Sequence, residues 1–415
     1  MPVPDDRAFP VPGNPAIPLP RQPQVGQDQQ VDRPLRVLAL NPGSSSLKLA
    51  VLDGVTLRFG HTLPDASGPC WPEFQDLVLR YDPIDAVAVR FMHGGSRPGP
   101  VLLDDAELAD LETLSPRAAL HQPQSIELVR MVWQMVPDLP VVGCFDTSFH
   151  VGLPEHAARY ALPRPWSGQP ELRRAGFHGL SCDYAQHRAA TLLRTPAEML
   201  GLVVAHVGAG VSVTAIEGGR SVDTSMGFTP NDGAVMATRS GSLDPGLVLH
   251  LARTSGLDAG ELNVALAERA GLAGLTGGTG DMGQVLAARA AGDQDAATAV
   301  GVYLHRLRRE IAAAATSLAS LDAVVLTGGV VEGSAWLRSE LVHGLRLLGL
   351  RLDHRRNREA SHDTLLSEPG EPIAVLLIQA REDISLARGA AAVLGRTPAA
   401  EQTSGAAASE VRAQP

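Results

Sequence analysis

Residues 36–54 read RVLALNPGSSSLKLAVLDG and residues 201–219 read GLVVAHVGAGVSVTAIEGG, and the two align without a gap. Val37, Leu38, Ala39 and Leu40 fall on Leu202, Val203, Val204 and Ala205, and Gly43 falls on Gly208. Asn41 and His206 take equivalent corners just before the turns, and Ala50-Val51 matches Ala215-Ile216. Each segment has the pattern of a strand, a turn of small residues and a second strand. Read as an internal repeat, the pair makes the chain a duplicated fold whose two glycine-rich hairpins face each other across a cleft. Such a cleft suits a phosphate chain, because small-residue turns present backbone N–H groups and allow close approach. A match of this length is also what two unrelated hairpins give.

Outward from the hairpins, short apolar runs ended by glycine alternate with longer helical stretches, which is the signature of an α/β architecture. Residues 36–40 read as a strand. A helix over 123–135 puts Ile126, Val129 and Trp133 on one face, and an alanine-rich helix does the same with Val300, Leu304, Leu307, Ile311 and Leu318. Residues 1–34 are crowded with proline and polar residues and show neither hydrophobic period, so a disordered leader is expected there. An Ala/Ser/Gln-rich tail is expected over 397–415. The folded body then divides into a first domain, residues 35–150 plus 384–396, and a second, residues 151–383.

With 44% hydrophobic and only 19% charged residues, the 415-residue chain can fill a substantial core. No stretch approaches the roughly 18 apolar residues of a membrane span, and the start MPVPDD lacks the basic and apolar regions of a secretory signal. A cytoplasmic protein is the expectation. A formal net charge of -10 argues against nucleic acid or an anionic membrane as partner, while leaving room for a local basic pocket. Cys70, Cys144 and Cys182 lie far apart in no metal-ligand spacing, and read as reduced thiols.

Six clusters carry chemistry. The first turn, residues 41–48 (NPGSSSLK), offers a glycine, three hydroxyls, an amide and an ammonium directly after a strand. Lys48 leads into another apolar strand, so this is not the phosphate loop whose lysine precedes a helix. Arg90 in RFMHGG (90–95) stands where an apolar run ends, the place where open α/β sheets bind ligands. Asp146 in VVGCFDTSFH (141–150) likewise ends a strand, and reads either as a magnesium anchor or as a helix N-cap. GFHG (176–179) sets His178 between glycines, and SVDTSMGFTP (221–230) is soon followed by TRSG (238–241).

NPGSSSLK, R-x-x-HGG, FDTSFH, GFHG, SVDTSMGFTP and TRSG occur in the order and at roughly the spacing of the acetate kinase family, which the folded body resembles throughout. The resemblance implies the actin-like, ribonuclease H-like duplicated fold of sugar kinases and heat-shock chaperones, with a central nucleotide cleft. It implies reversible transfer of the ATP γ-phosphoryl group to acetate or propionate, with Mg2+ or Mn2+ and a homodimer. Asn41, Ser44, Ser46 and Lys48 would surround phosphate and magnesium, joined on the nucleotide side by His206, Gly208, Gly210, Asp281, Gly329 and Glu332. Arg90 and Arg239 would hold the carboxylate and the transferring phosphoryl group. Asp146 would organise magnesium with Asn41 and Glu382, and His178 would steady the equatorial oxygens. Met92, Leu120, Phe177 and Pro230 would build the acyl pocket. The inventory also makes chemical sense, since a carboxylate nucleophile is already ionised near neutral pH and needs no general base.

The departures from the family pattern gather on the donor side. Its HxGNGSS turn reads HVGAGVS (206–212), losing an amide at Ala209 and a hydroxyl at Val211. Gly283 stands where an arginine usually follows Asp281. The Gly-Ile-Gly-Glu-Asn loop reads GVVEG (329–333), with Val331 adding bulk that narrows an adenosine pocket, and Gln379-Ala380-Arg381 replaces the usual Pro-Thr-Asn. Two alternatives stand beside ATP-dependent catalysis: the same acyl chemistry with pyrophosphate as donor, and a non-catalytic nucleotide-binding relative.

Overall fold

The computed structural model describes residues 33–43, 46–64, 76–78, 80–119 and 121–396. The expected tail, all of the expected leader before residue 33, Cys70, Ser44 and Leu120 lie outside the described residues. The described residues from Leu35 on form one compact unit.

Among the described residues twelve strands make two sheets of six. The first contains β1 (Arg36–Pro42), β2 (Ser46–Asp53), β3 (Thr56–Pro64), β4 (Ala86–Phe91), β5 (Val101–Leu102) and β6 (Val141–Phe145), in the order β3-β2-β1-β4-β6-β5. The second contains β7 (Gly201–Val207), β8 (Val211–Glu217), β9 (Arg220–Thr224), β10 (Ala323–Thr327), β11 (Thr364–Leu365) and β12 (Ala374–Leu377), in the order β11-β12-β10-β7-β8-β9. Each sheet is an antiparallel meander of three strands, then two parallel strands, then a short antiparallel edge. The two sheets therefore share one topology, and the internal repeat is a duplication of the fold.

The gapless alignment needs one correction. Pro42 pairs with Leu47 across the first turn, whereas Val207 pairs with Val211 across the second, so the first turn is one residue longer. Since a one-residue slip turns every strand side chain to the other face, the ladder decides the match. Ile216, paired with Leu202, is the counterpart of Leu52, paired with Val37, and all four side chains face the same central core.

That central core is a layer of two helices between the sheets. Cys182, Ala185 and Ala189 of the helix Gly179–Leu193, and Ile384, Leu386 and Ala390 of the helix Glu382–Val393, pack against Val37, Ala39 and Ala88 on one side and Leu202, Val204 and Val325 on the other. The alanines let two helices and two sheets approach closely. Cys144 and Cys182 are free thiols in this layer, and burial pushes both up to about 12.

Outer helices cover the remaining faces. Helix Gln122–Met135 lays Ile126 and Val129 on the first sheet, with Trp133 half-buried beside them. Helix Gln294–Ala315 lays Val300, Leu304, Leu307 and Ile311 on the second. Leu318, expected in that helix, lies past its end, because Thr316 already caps it in a tight turn; its side chain still packs on the same core. Among the described residues no helix is long and apolar enough to cross a membrane.

Candidate active site

Strands β1, β4 and β6 run parallel, so their C-terminal ends share one edge, where ligands bind in open α/β sheets. Asn41, Arg90 and Asp146 stand together at that edge. Arg90 directs Nε and Nη2 to the same oxygen of Asp146, Oδ2, at 3.0 and 2.5 Å, and Nη1 to Asn41 Oδ1 at 3.0 Å. Asn41 then donates through Nδ2 to Glu382 Oε2 at 2.8 Å, across 341 positions of sequence. Asp146 caps no helix, which removes that reading of it; Thr147 begins the short turn that follows.

The second half of the site comes from the central helix and from β7. His178 precedes helix Gly179–Leu193 in a left-handed conformation, φ 57°. Gly179 N–H donates to the Asp146 carbonyl at 2.9 Å, and a Cβ at Gly179 would lie 2.3 Å from that oxygen, so only glycine allows the contact. His178 Nδ1 meets Ser212 Oγ at 3.0 Å, His206 Nδ1 meets Ser181 Oγ at 2.8 Å, and the two rings lie 4.2 Å apart. The turn from Gly208 to Gly210 sits over them: a Cβ on Gly210 would come within 3.2 Å of His178 Nε2 and 3.5 Å of Arg239 Nη1. Arg239, buried, donates to the Pro230 carbonyl at 3.2 Å. Among the described residues it has no carboxylate partner.

Burial works against the Arg90 cation, but Asp146 and Glu382 raise its pKa above the usual value. Glu382 is buried too, and Arg90, His206 and Lys48 hold it below the usual carboxylate range. Arg239 is lowered to about 10 by burial and by Arg90, and so remains charged at neutral pH. His178 is pushed well below the ordinary imidazole value by burial, His206 and both arginines. The site is thus two guanidiniums, one neutralised and one not, beside a neutral imidazole. Such an arrangement binds and steadies anions.

Asp146 Oδ1 is buried with no hydrogen-bond partner, because both donors of Arg90 fall on Oδ2. An orphaned carboxylate oxygen beside a second buried carboxylate fits a hard divalent cation. Among the described residues no three His, Cys, Asp or Glu side chains gather for a metal. Magnesium takes one or two carboxylates and completes its shell with phosphate oxygens and water.

Against known proteins, the model of the acetokinase family matches residues 75–388. The chain belongs to the acetokinase family. An acetate kinase of Deinococcus radiodurans is 39% identical over 391 residues, covering 86% of this chain and 98% of that protein. A propionate kinase of Francisella tularensis superposes with TM-score 0.78 at 30% identity, over 86% of this chain and 98% of that one. The Porphyromonas gingivalis acetate kinase gives TM-score 0.77 at 28% identity, over 87% and 100%. As an acetokinase, the chain is a phosphotransferase whose acceptor is a carboxyl group, on a duplicated actin-like fold.

Met92 and Phe177 are buried in one apolar cluster with Ala118, and Pro230 is tied to Arg239. Lys48 is exposed on β2, near enough to lower Glu382 and His206, and Ser46 accepts the Gly43 N–H at 2.7 Å through its carbonyl. Asp281 caps the helix Met282–Ala290 through the Gln284 N–H. Gly329 and Glu332 follow β10, the parallel neighbour of β7. Val331 does not narrow an adenosine pocket: its helical turn directs the side chain into the core of the second sheet, where it is fully buried beside Leu337 and Leu341. A Cβ on Gly329 or Gly333 would meet nothing within 4 Å.

Sequence reading missed His121, which is buried between the arginines' fields and pushed down to about 3 by burial, Arg239 and Arg90. It missed Ser212 as the partner of His178 as well. The serine was visible as the last hydroxyl of the second turn; nothing in the sequence marked His121.

Five histidines are buried neutral, His93, His150 and His206 at about 4, His121 at about 3 and His178 well below the usual value, all chiefly through burial. Their folded-state values lie below that of a free imidazole, about 6.5. Between about pH 6.5 and about 4 the unfolded chain therefore binds more protons, and stability falls as pH falls. Urea midpoints should drop markedly from about pH 7 to about pH 5, each histidine contributing up to ~1.4 kcal/mol per pH unit. Equal midpoints at the two pH values would overturn the neutral assignment.

Proposed function

We propose that the chain reversibly transfers the γ-phosphoryl group of ATP to acetate or propionate, giving acyl phosphate and ADP. The observation that carries this reading is Arg239, a buried guanidinium that among the described residues has no carboxylate of its own, lying in the field of the neutralised Arg90 and touching Met236 of the apolar cluster that also holds Met92 and Phe177, which would form the floor. A short fatty acid fits such a place, carboxylate toward Arg239 and methyl toward the floor. The acid arrives ionised, so the task left is to overcome repulsion between it and a polyphosphate. Arg90 and Arg239 orient and neutralise the planar anionic groups. His178, kept neutral, offers an Nε2–H to an equatorial oxygen when Ser212 donates to Nδ1. Asp146, Glu382 and Asn41 would hold Mg2+ or Mn2+, which when bound supplies charge neutralisation on the phosphate oxygens.

ATP as donor is supported by the open ground at Gly329 and Gly333, in the loop whose Gly328 is pressed on Val207, the residue before the turn from Gly208 to Gly210. The names of the Deinococcus and Francisella relatives support acetate and propionate. Free buried thiols favour a cytoplasmic location. A homodimer is supported by helix Pro245–Thr254, none of whose residues is buried and which exposes Leu247 and Leu249, with Val264 of the next helix. The return of helix Glu382–Val393 to the first sheet supports two domains that divide near residue 150 and rejoin at 384.

Trapping the acyl phosphate with hydroxylamine, with acetate or propionate and either ATP or pyrophosphate, tests the whole reading. Product with ATP supports it. Product with pyrophosphate alone would replace the donor, and none with either would leave a non-catalytic relative.

Arg239→Ala should lower kcat by about two to four orders of magnitude, the usual loss when a transition-state charge partner is removed from a dry site. A kcat near wild type would sink the assignment of Arg239.

The buried Met92 closes the acyl floor, so butyrate should be disfavoured against propionate by about 1–3 kcal/mol in kcat/KM, the cost of overpacking. Met92→Ala should shift preference toward butyrate; butyrate as the best substrate of the unmodified protein would place the wall elsewhere.

A further inference from the structure

Glu332 follows β10 in a loop that the family resemblance set against the nucleotide, yet its carboxylate is used inside the protein. Oε1 accepts two backbone N–H groups, that of Gly328 at 2.8 Å and that of Ala380 at 2.9 Å. The first lies at the start of its own loop, after β10. The second lies in the segment between β12 and helix Glu382–Val393, two residues before Glu382. One oxygen therefore ties the loop of the proposed donor side to the segment that delivers the proposed metal carboxylate.

The clamp is itself held from behind. Arg338 is fully buried, and its donors all go to neutral oxygens: Val331 O at 2.6 Å, Glu332 O at 3.0 Å, Asn357 Oδ1 at 2.7 Å and Asn357 O at 2.6 Å. Asn357 passes the constraint on through Nδ2, to Ala335 O and Ser339 Oγ, each at 2.8 Å. Gly328, φ +98°, is pressed on β7, where a Cβ would lie 2.7 Å from the Val207 carbonyl. In the other segment Ile378 N–H holds the Leu326 carbonyl at 3.0 Å, Gln379 N–H donates to Asp363 Oδ1 at 2.8 Å, and the bond from Ala380 to Glu332 follows as the last backbone anchor before Glu382. After Ala380 the chain reaches Glu382 directly.

We infer that Glu332 is a positioning residue that couples the donor loop to the metal carboxylate Glu382, so that magnesium and nucleotide bind as one linked event. This rests on the reading of Glu382 as a metal carboxylate. A side chain that touched only nucleotide would affect nucleotide affinity with or without metal; a clamp affects mainly the part of that affinity that magnesium adds.

Titration calorimetry of ADP, with magnesium and with EDTA, reads that part directly on the full-length chain. Glu332→Ala should reduce the magnesium-dependent gain in ADP affinity on the order of 10- to 100-fold, the usual effect of removing a group that orients a metal ligand. ADP affinity in EDTA and the KM for acetate should each change less than about threefold, against that 10- to 100-fold expectation. Glu332→Gln keeps an oxygen able to accept both N–H groups and should restore most of the gain. It also stands in for the alanine variant should that fail to fold, in which case a magnesium-dependent gain within about threefold of wild type supports the clamp, since that is far less than the 10- to 100-fold loss expected without it.

Three results would overturn the inference. A magnesium-dependent gain untouched in Glu332→Ala removes the coupling. Glu332→Gln as impaired as alanine means that the charge, not the accepted bonds, matters, and makes Glu332 a direct ligand. Glu382→Gln with an unaltered gain removes the metal reading of Glu382 and the inference with it, whereas a lost gain in Glu382→Gln beside an intact one in Glu332→Ala removes the clamp alone.

Discussion

Arg90 directs two donors to one oxygen of Asp146 and a third to Asn41, and the cleft is organised around that commitment. A buried guanidinium left without its acid is costly, about 3–5 kcal/mol when one partner of such a pair is removed, so the ends of β1, β4 and β6 are fixed together by charge as well as by the sheet. Because both donors fall on Oδ2, Oδ1 of Asp146 is left bare. Because Asp146 and Glu382 are taken up with Arg90 and Asn41, Arg239 is left, among the described residues, as a cation without an acid. Three cationic side chains, Lys48, Arg90 and Arg239, face two carboxylates, and the fields of the arginines help to keep His121 and His178 neutral.

The duplicated sheets explain how such a site arises. Each copy brings the C-terminal ends of its parallel strands to the cleft, and the corner residues before the first turns have diverged, Asn41 on one side and His206 on the other. The central layer adds what neither sheet could supply. Both of its helices begin at the site: His178 precedes the first residue of Gly179–Leu193, and Glu382 is the first residue of Glu382–Val393. Helix N-termini favour anions, so two dipoles point their positive ends toward the place where the carboxylate and phosphates are proposed to meet. Small side chains in the layer, Ala185, Ala387 and Ala390 among them, let those ends come close.

Much of this was legible in the sequence because it is local. Apolar period marked β1 and the helices, the repeated hairpin announced the duplication, and Arg90 and Asp146 stand at strand ends that the pattern located. What escaped depends on register or on distance. A one-residue difference in turn length is invisible until the ladder is seen, and it moved Ile216 onto Leu52. Val331 looked like an obstruction because sequence does not say which side of a single helical turn faces the core. The bond from Asn41 to Glu382 spans 341 positions, and Glu332 reaches Ala380 over 48, so no window on the chain could join them. His121 and Arg338 carried no motif; only burial beside the arginines, or among bare carbonyls, gives them meaning.

The overall charge and the local charge of this chain pull in opposite directions. A net charge of -10 repels acetate and nucleotide alike at long range, but at physiological ionic strength that field is screened beyond about 8 Å. Inside the cleft water is largely excluded, screening is weak, and the excess positive charge of the arginines governs. On the proposed reading an anion would gain little from the protein until it is almost seated, and would then gain most at Arg239. Selectivity would then lie in the shape of the last few ångströms, where the proposed apolar floor and the bare guanidinium must both be satisfied at once, rather than in attraction from solution.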